Sequence, residues 1–243
     1  MVLGRTTLYE DGCLRKGRAF TMRDNYRDEL NATTELIVTV AGLVRTAVQD
    51  ATTALVTADL TIAERVISGD ARIDELTKEI EQRSFQLLAR QAPVAGELRT
   101  VVAVLRMSYS LDRMGDLAAH IAKIARLRYP EVAAPEPIAD QIKQMAETAD
   151  SMIATAITTL ENRDAEAAAG LATADSKMDE LRSDQFHLLL SDDWEYGVEK
   201  AVDTALLGRY YERIADHAVA MGARTIYIVT GEAPEGENWP SSF

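Results

Sequence analysis

The run Leu111-Asp112-Arg113-Met114-Gly115-Asp116 returns one hundred positions later as Tyr211-Glu212-Arg213-Ile214-Ala215-Asp216. A chain that repeats itself at this period folds as two copies of one unit, each burying the same stripe. In both runs two carboxylates stand four residues apart on a helical pattern, so they share a face with Cβ atoms roughly 5 to 6 Å apart. One such pair means little, since on the order of six arise by chance in a chain this acidic. The matching pairs upstream carry the argument: Asp70 with Asp74, and Asp175 with Asp179.

If each half holds an antiparallel helical hairpin, a turn at Pro93 brings Asp70 level with Asp116 and Asp74 level with Asp112, because each pair is equidistant from residue 93. The Ser191 to Gly197 loop does the same for Asp175 with Asp216 and for Asp179 with Glu212. Four carboxylates thus meet at one height in each half, about 30 Å from the turn at 1.5 Å of rise per residue.

Apolar periodicity predicts six helices: Leu30 to about Ala58, Asp59 to about Gln91, about Val94 to Arg128, Ile138 to Glu161, Asp164 to about Leu190, and about Val198 to Val229. Asp59 and Asp164 are the expected caps of the second and fifth. The fold class is therefore all-α, two tandem three-helix bundles over 22–129 and 138–230, joined by a proline-rich linker at 130–137. Residues 1–21 read as a disordered extension, with Met22 a candidate natural start, and residues 231–243 as a tail.

Composition narrows the function. With 243 residues, 47% of them hydrophobic, the chain can build real cores. A net charge of −13 excludes a nucleic-acid phosphate binder, which needs a basic face. Cys13 is the single cysteine, which suits a reducing compartment. No apolar run reaches the eighteen or more residues of a spanning helix, so the reading is cytoplasmic.

Helical angles turn Asp112 and Asp116 away from the Leu111, Met114, Ala118 and Ile121 stripe, and set Asp70 and Asp74 on the shoulder of theirs. Angles in the second half agree. The site is then on the bundle surface, unlike the core centre of a ferritin-like oxidase. Acids on an outer face are commonly just solvated, yet like charges so placed cost roughly 0.2 to 0.5 kcal/mol per pair, and a cation removes that penalty. Asp70, Asp74, Asp112, Asp116, Asp175, Asp179, Glu212 and Asp216 are accordingly the candidate metal ligands. All-oxygen ligation suits magnesium or manganese, and carboxylate clusters also hold iron or zinc.

Other residues near the motifs read as follows. Gly69 and Gly115 suggest either close backbone approach or a helix irregularity, and Arg113 and Arg213 salt-bridge partners. His120 could extend the acidic face, although the second copy has Ala220 there; His217 is matched by Leu117, and His187 reads as a surface residue.

With repeat, linker and motifs assembled, the chain from about Met22 to Glu232 resembles the PhoU family of phosphate-signalling regulators. The resemblance rests on Leu111-Asp-Arg-Met-Gly-Asp116 and Tyr211-Glu-Arg-Ile-Ala-Asp216, backed by the Asp70/Asp74 and Asp175/Asp179 pairs. It implies multinuclear metal clusters at the acidic pairs and a homodimer. It also implies a cytoplasmic role, peripheral to the membrane through partners only: association with a phosphate ABC transporter and a sensor histidine kinase, keeping phosphate-starvation genes off when phosphate is plentiful. The extension before Met22 departs from the family.

No enzyme is expected, since there is no glycine cradle for phosphate, no nucleophile and base at readable spacing, and no glutamate followed by histidine three residues on. The alternatives are a carboxylate-bridged metal oxidase or hydrolase, and a helical scaffold that works without metal.

Overall fold

In the computed structural model the described residues are 22–90, 93, 95–134, 136 and 138–233. The expected extension over 1–21 and most of the expected tail lie outside them. Six helices run in chain order: α1 (Met22–Thr57), α2 (Leu60–Arg90), α3 (Ala95–Arg128), α4 (Ile138–Asn162), α5 (Ala165–Leu189) and α6 (Gly197–Thr230). None is long and apolar enough to cross a membrane.

The caps are where the sequence places them. Asp59 Oδ1 accepts from the Ile62 N–H at 2.9 Å, and Asp164 Oδ1 accepts from the Ala167 N–H at 2.9 Å, each satisfying a first-turn donor that the helix leaves open. At the other end of α6, Gly231 takes the left-handed conformation and its N–H closes on the Tyr227 carbonyl.

One boundary differs by two turns. The expected first helix begins at Leu30, but α1 starts at Met22. The cause is tertiary: Tyr26 and Leu30 bury against Leu87 and Val101 in a small satellite core over the α2–α3 end. A window dominated by Arg23, Asp24, Asn25, Arg27, Asp28 and Glu29 gives little local hint of this, because two well-placed apolar residues suffice once α2 and α3 offer a surface.

Helices α1–α3 pack on one another, as do α4–α6, and the halves then join through α3 against α6 and α1 against α4. The resulting core is continuous from Ile37 in α1 to Met221 in α6. Both helices carry small buried residues, Ala118, Ala119 and Ala122 on α3 and Ala215 and Ala218 on α6, and small side chains let helices approach closely.

The register across the junction is antiparallel. Arg128 at the end of α3 binds Asp203 and Glu199 at the start of α6, and His120 packs against Tyr210 with ring centroids 5.4 Å apart. On the other seam Arg45 donates to both oxygens of Asp150, at 2.7 and 2.8 Å. The offset that carries Asp70 to Asp175 also carries Arg45 to Asp150, so this ion pair joins equivalent positions across an approximate local twofold. A strict repeat would place like residues face to face there.

Candidate metal centres

Each hairpin brings its four acids together. The charges acting on Asp70 are Asp116, then Asp74, then the opposing Lys123, and more weakly Asp112; on Asp112 the first is Asp74. That is the level pairing expected from the turn at Pro93. In the second half Asp175 feels Asp216 first, then Asp179 and Glu212.

The four acids of the first cluster lie in a partly shielded trough between α2 and α3. Side-chain exposure is 26% for Asp112, 39% for Asp116 and 43% for Asp74. They are less outward than the helical angles imply, because α3 buries a broad face against α1, α2 and α6. Desolvation first, and then the Asp116 and Asp74 charges, push the Asp70 carboxyl up to about 6. The same causes raise Asp112, and in the second cluster Asp175 and Asp216.

Gly115 is the backbone reason that Asp70 can sit where it does. A β-carbon on Gly115 would stand 3.0 Å from Asp70 Oδ1 and 3.1 Å from Ile73 Cγ2, tighter than ordinary packing. Gly69, by contrast, faces open space, so its expected close approach is absent.

The basic partners of the two clusters differ. In the first, Arg113 donates to Asp116 at 2.8 Å and lies 3.7 Å from Asp112, and Lys78 lies 3.7 Å from Asp74. The Thr77 hydroxyl is 3.3 Å from Asp112 Oδ1 and 3.1 Å from the Asp74 carbonyl, so its one proton is shared between them. In the second, Glu212 accepts from Arg182 at 3.3 Å and pairs with Arg209 at 2.8 Å, whereas the expected partner Arg213 is exposed and acts on Asp216 through its field. Sequence reasoning missed Thr77 and Arg182. The signal was available, because the offset relating Asp70 to Asp175 also relates these two.

His120 is exposed, with its ring tilted against Tyr210; partial desolvation first, and then Lys123, hold its imidazole below the ordinary value against the pull of Asp116. His217 is likewise lowered by burial first, then by Arg213 and Arg113.

Metal ligands must converge. Among the described residues no three carboxylate, imidazole or thiol groups do so around one point as the side chains stand, as expected of like charges with nothing between them. The donor set nonetheless fits a hard cation in the first cluster: four carboxylates, oxygen only, with the buried Asp70 Oδ1 lacking any hydrogen-bond partner. A cation would give that oxygen its missing partner.

An all-helical protein of two joined three-helix bundles, each with four carboxylates in the seam of its last two helices, is the class that fold and site define. The PhoU domain profile matches the chain twice, over residues 37–125 and 142–225, once within α1–α3 and once within α4–α6. The chain belongs to the PhoU family. It is 41% identical over 221 residues to the phosphate-specific transport system accessory protein PhoU homolog 1 of Mycobacterium leprae, covering 91% of this chain and all of the relative. It is 42% identical over 213 residues to PhoU homolog 2 of Mycobacterium tuberculosis, covering 88% of this chain and all of that protein. Among solved structures, PhoU from Pseudomonas aeruginosa superposes with a TM-score of 0.81 at 25% identity, covering 85% of this chain and 100% of the other. These relatives are named as accessory proteins, not enzymes.

Proposed function

We propose that this chain is a cytoplasmic, metal-binding, non-enzymatic regulator that restrains the phosphate-starvation response by coupling a phosphate ABC transporter to a sensor histidine kinase. Family membership supports the link to phosphate transport, since the relatives are named as accessory proteins of a phosphate-specific transport system. The observation that carries the metal is the orphaned, buried Asp70 Oδ1 among four mutually repelling carboxylates. Asp70, Asp74, Asp112 and Asp116 would hold the ion in the first half, with Asp175, Asp179, Glu212 and Asp216 the corresponding set in the second. A second copy of the chain completes the working unit as a homodimer.

A bound ion would neutralise the charge of Asp70, Asp74, Asp112 and Asp116 and so hold α2 to α3, and the output would be a surface shown to partners. The test is Asp112→Asn with Asp116→Asn, assayed in a phosphate-starvation reporter strain grown in phosphate-rich medium, with metal content, helix content, and binding to transporter and kinase measured on the same variant. Derepression with lowered metal and full helicity is the expected result. A folded, metal-poor variant that keeps the reporter silent and binds both partners removes the metal from the mechanism and leaves the helical scaffold.

A further inference from the structure

The two clusters match in their acids but not in what surrounds them. Beside Asp112 a cleft of ≈ 420 Å³ opens between α2 and α3, lined in part by Thr77, Glu81, Ser108 and Tyr109. The equivalent positions in the second half are Arg182, Phe186, Gly208 and Arg209. There the Arg182 side chain turns inward and is only 11% exposed. Its guanidinium lies 3.9 Å from the Phe186 ring centroid, donates to Gln185 Oε1 at 2.6 Å, and donates to Glu212 Oε2 at 3.3 Å.

Gly208 is what lets it in. A β-carbon there would fall 1.8 Å from Gln185 Oε1 and 2.9 Å from Arg182 Nη1. Gln185 is fully buried, so its amide has no room to withdraw. With Arg209 on the other oxygen, both carboxylate oxygens of Glu212 are already engaged by guanidinium groups.

The first cluster has cations too, but loose ones. Arg113 is 41% exposed and Lys78 69% exposed, so either can swing into water at little cost when an ion arrives. The first cluster also keeps a buried oxygen without a partner, Asp70 Oδ1, whereas no carboxylate oxygen of the second cluster is left so among the described residues.

We propose that Arg182 is a resident cation at the Glu212 edge of the second cluster, taking that carboxylate out of the donor set, so that the chain loads metal in its first half and keeps the second half closed. The inference rests on the metal reading of the acidic clusters. It makes the two halves of the repeat unequal: one cluster responds to a cation, and the other is a fixed strut between α5 and α6.

The experiment is Mn²⁺ titration by calorimetry, with elemental analysis after dialysis, on the full chain stripped with chelator. Compared are wild type, Asp112→Asn/Asp116→Asn, Glu212→Gln/Asp216→Asn, Arg182→Thr, and Arg182→Met, which keeps the apolar stem packed on Phe186. Wild type should lose its Mn²⁺ in the first double variant and keep it in the second, and removing the guanidinium should roughly double the Mn²⁺ bound at saturation by returning Glu212 Oε2 to the donor set. Equal loss of Mn²⁺ from both double variants overturns the proposal, and so does a folded Arg182→Met chain that binds no more than wild type. If wild type binds no Mn²⁺ but Arg182→Met does, and Glu212→Gln/Asp216→Asn abolishes that gain, the metal reading of the first cluster fails while the role of Arg182 stands. If neither binds any, both fail.

Discussion

Asp70 Oδ1 rests 3.0 Å from the point that a β-carbon on Gly115 would occupy, so a glycine on α3 decides how deep a carboxylate on α2 can sit. That depth strips water from Asp70 and puts it among Asp116, Asp74 and Asp112, which is why its carboxyl is raised from 3.8 to about 6.

Because the folded value lies above the unfolded one, the folded chain holds an extra proton between those two values, and ionising Asp70 above that window costs stability. Metal-free Asp70→Asn should therefore be more stable than wild type at pH 7, by about 1 to 2 kcal/mol after discounting for solvent screening. The difference should shrink through the window and vanish below roughly pH 4. Urea melts at several pH values measure this. Added Mn²⁺ should reverse the order at pH 7, since it stabilises only the chain that keeps the carboxylate.

The Arg45–Asp150 clamp has the opposite sign. Hydrogen bonding from Arg45 first, helped by Gln49, holds the Asp150 carboxyl below its ordinary value against some desolvation. Its contribution is present at neutral pH and is lost as the pH falls through the folded-state value. Asp150→Asn should cost about 1 kcal/mol at pH 7, the two side chains being 39% and 25% exposed. The gap from wild type should close below roughly pH 4. A pH-independent gap would mean that the loss is packing, not charge.

Tyr211 makes a further link between the halves. It is fully buried, and its hydroxyl lies 2.8 Å from Thr52 Oγ1 on α1. Thr52 gives its single proton to the Val48 carbonyl at 2.8 Å, so Tyr211 is the donor. Tyr211→Phe deletes one donor and leaves Thr52 bonded, which should cost about 1 kcal/mol. Tyr211→Ala opens a cavity and should cost about 3 to 5 kcal/mol. Thermal melts of the two variants separate the hydrogen bond from the packing.

Helix number, the caps at Asp59 and Asp164, and the levelling of the acidic pairs were legible in the sequence, because each follows from local periodicity or from distance to a turn. The first two turns of α1 were not, since Tyr26 and Leu30 gain their meaning from Leu87 and Val101, far along the chain. The same holds at the sites. Where an acid stands is set by helical repeat, but whether a guanidinium folds inward beside it depends on Gly208, Gln185 and Phe186 together. His120 is a further case: its spacing from Asp116 is local, but its contact with Tyr210 arises only when α6 packs on α3.

The α3–α6 junction depends at one end on Arg128. Asp203 is 5% exposed, and Arg128 donates to it at 2.5 Å while also binding Glu199 on the surface. Both hydrogen bonds push the guanidinium well above its ordinary value, Asp203 contributing most. Truncating Arg128 leaves a carboxylate buried with its main counter-charge gone, and such breakage costs more than the pair itself is worth. Arg128→Ala should therefore destabilise by about 3 kcal/mol, and Asp203→Asn by less, because an amide needs no counter-charge. The double variant should fall well short of the sum of the two, with a coupling of about 1 to 3 kcal/mol in a denaturant-melt cycle. If the single losses simply add, Asp203 is held by something other than Arg128, and the pair does not tie α3 to α6.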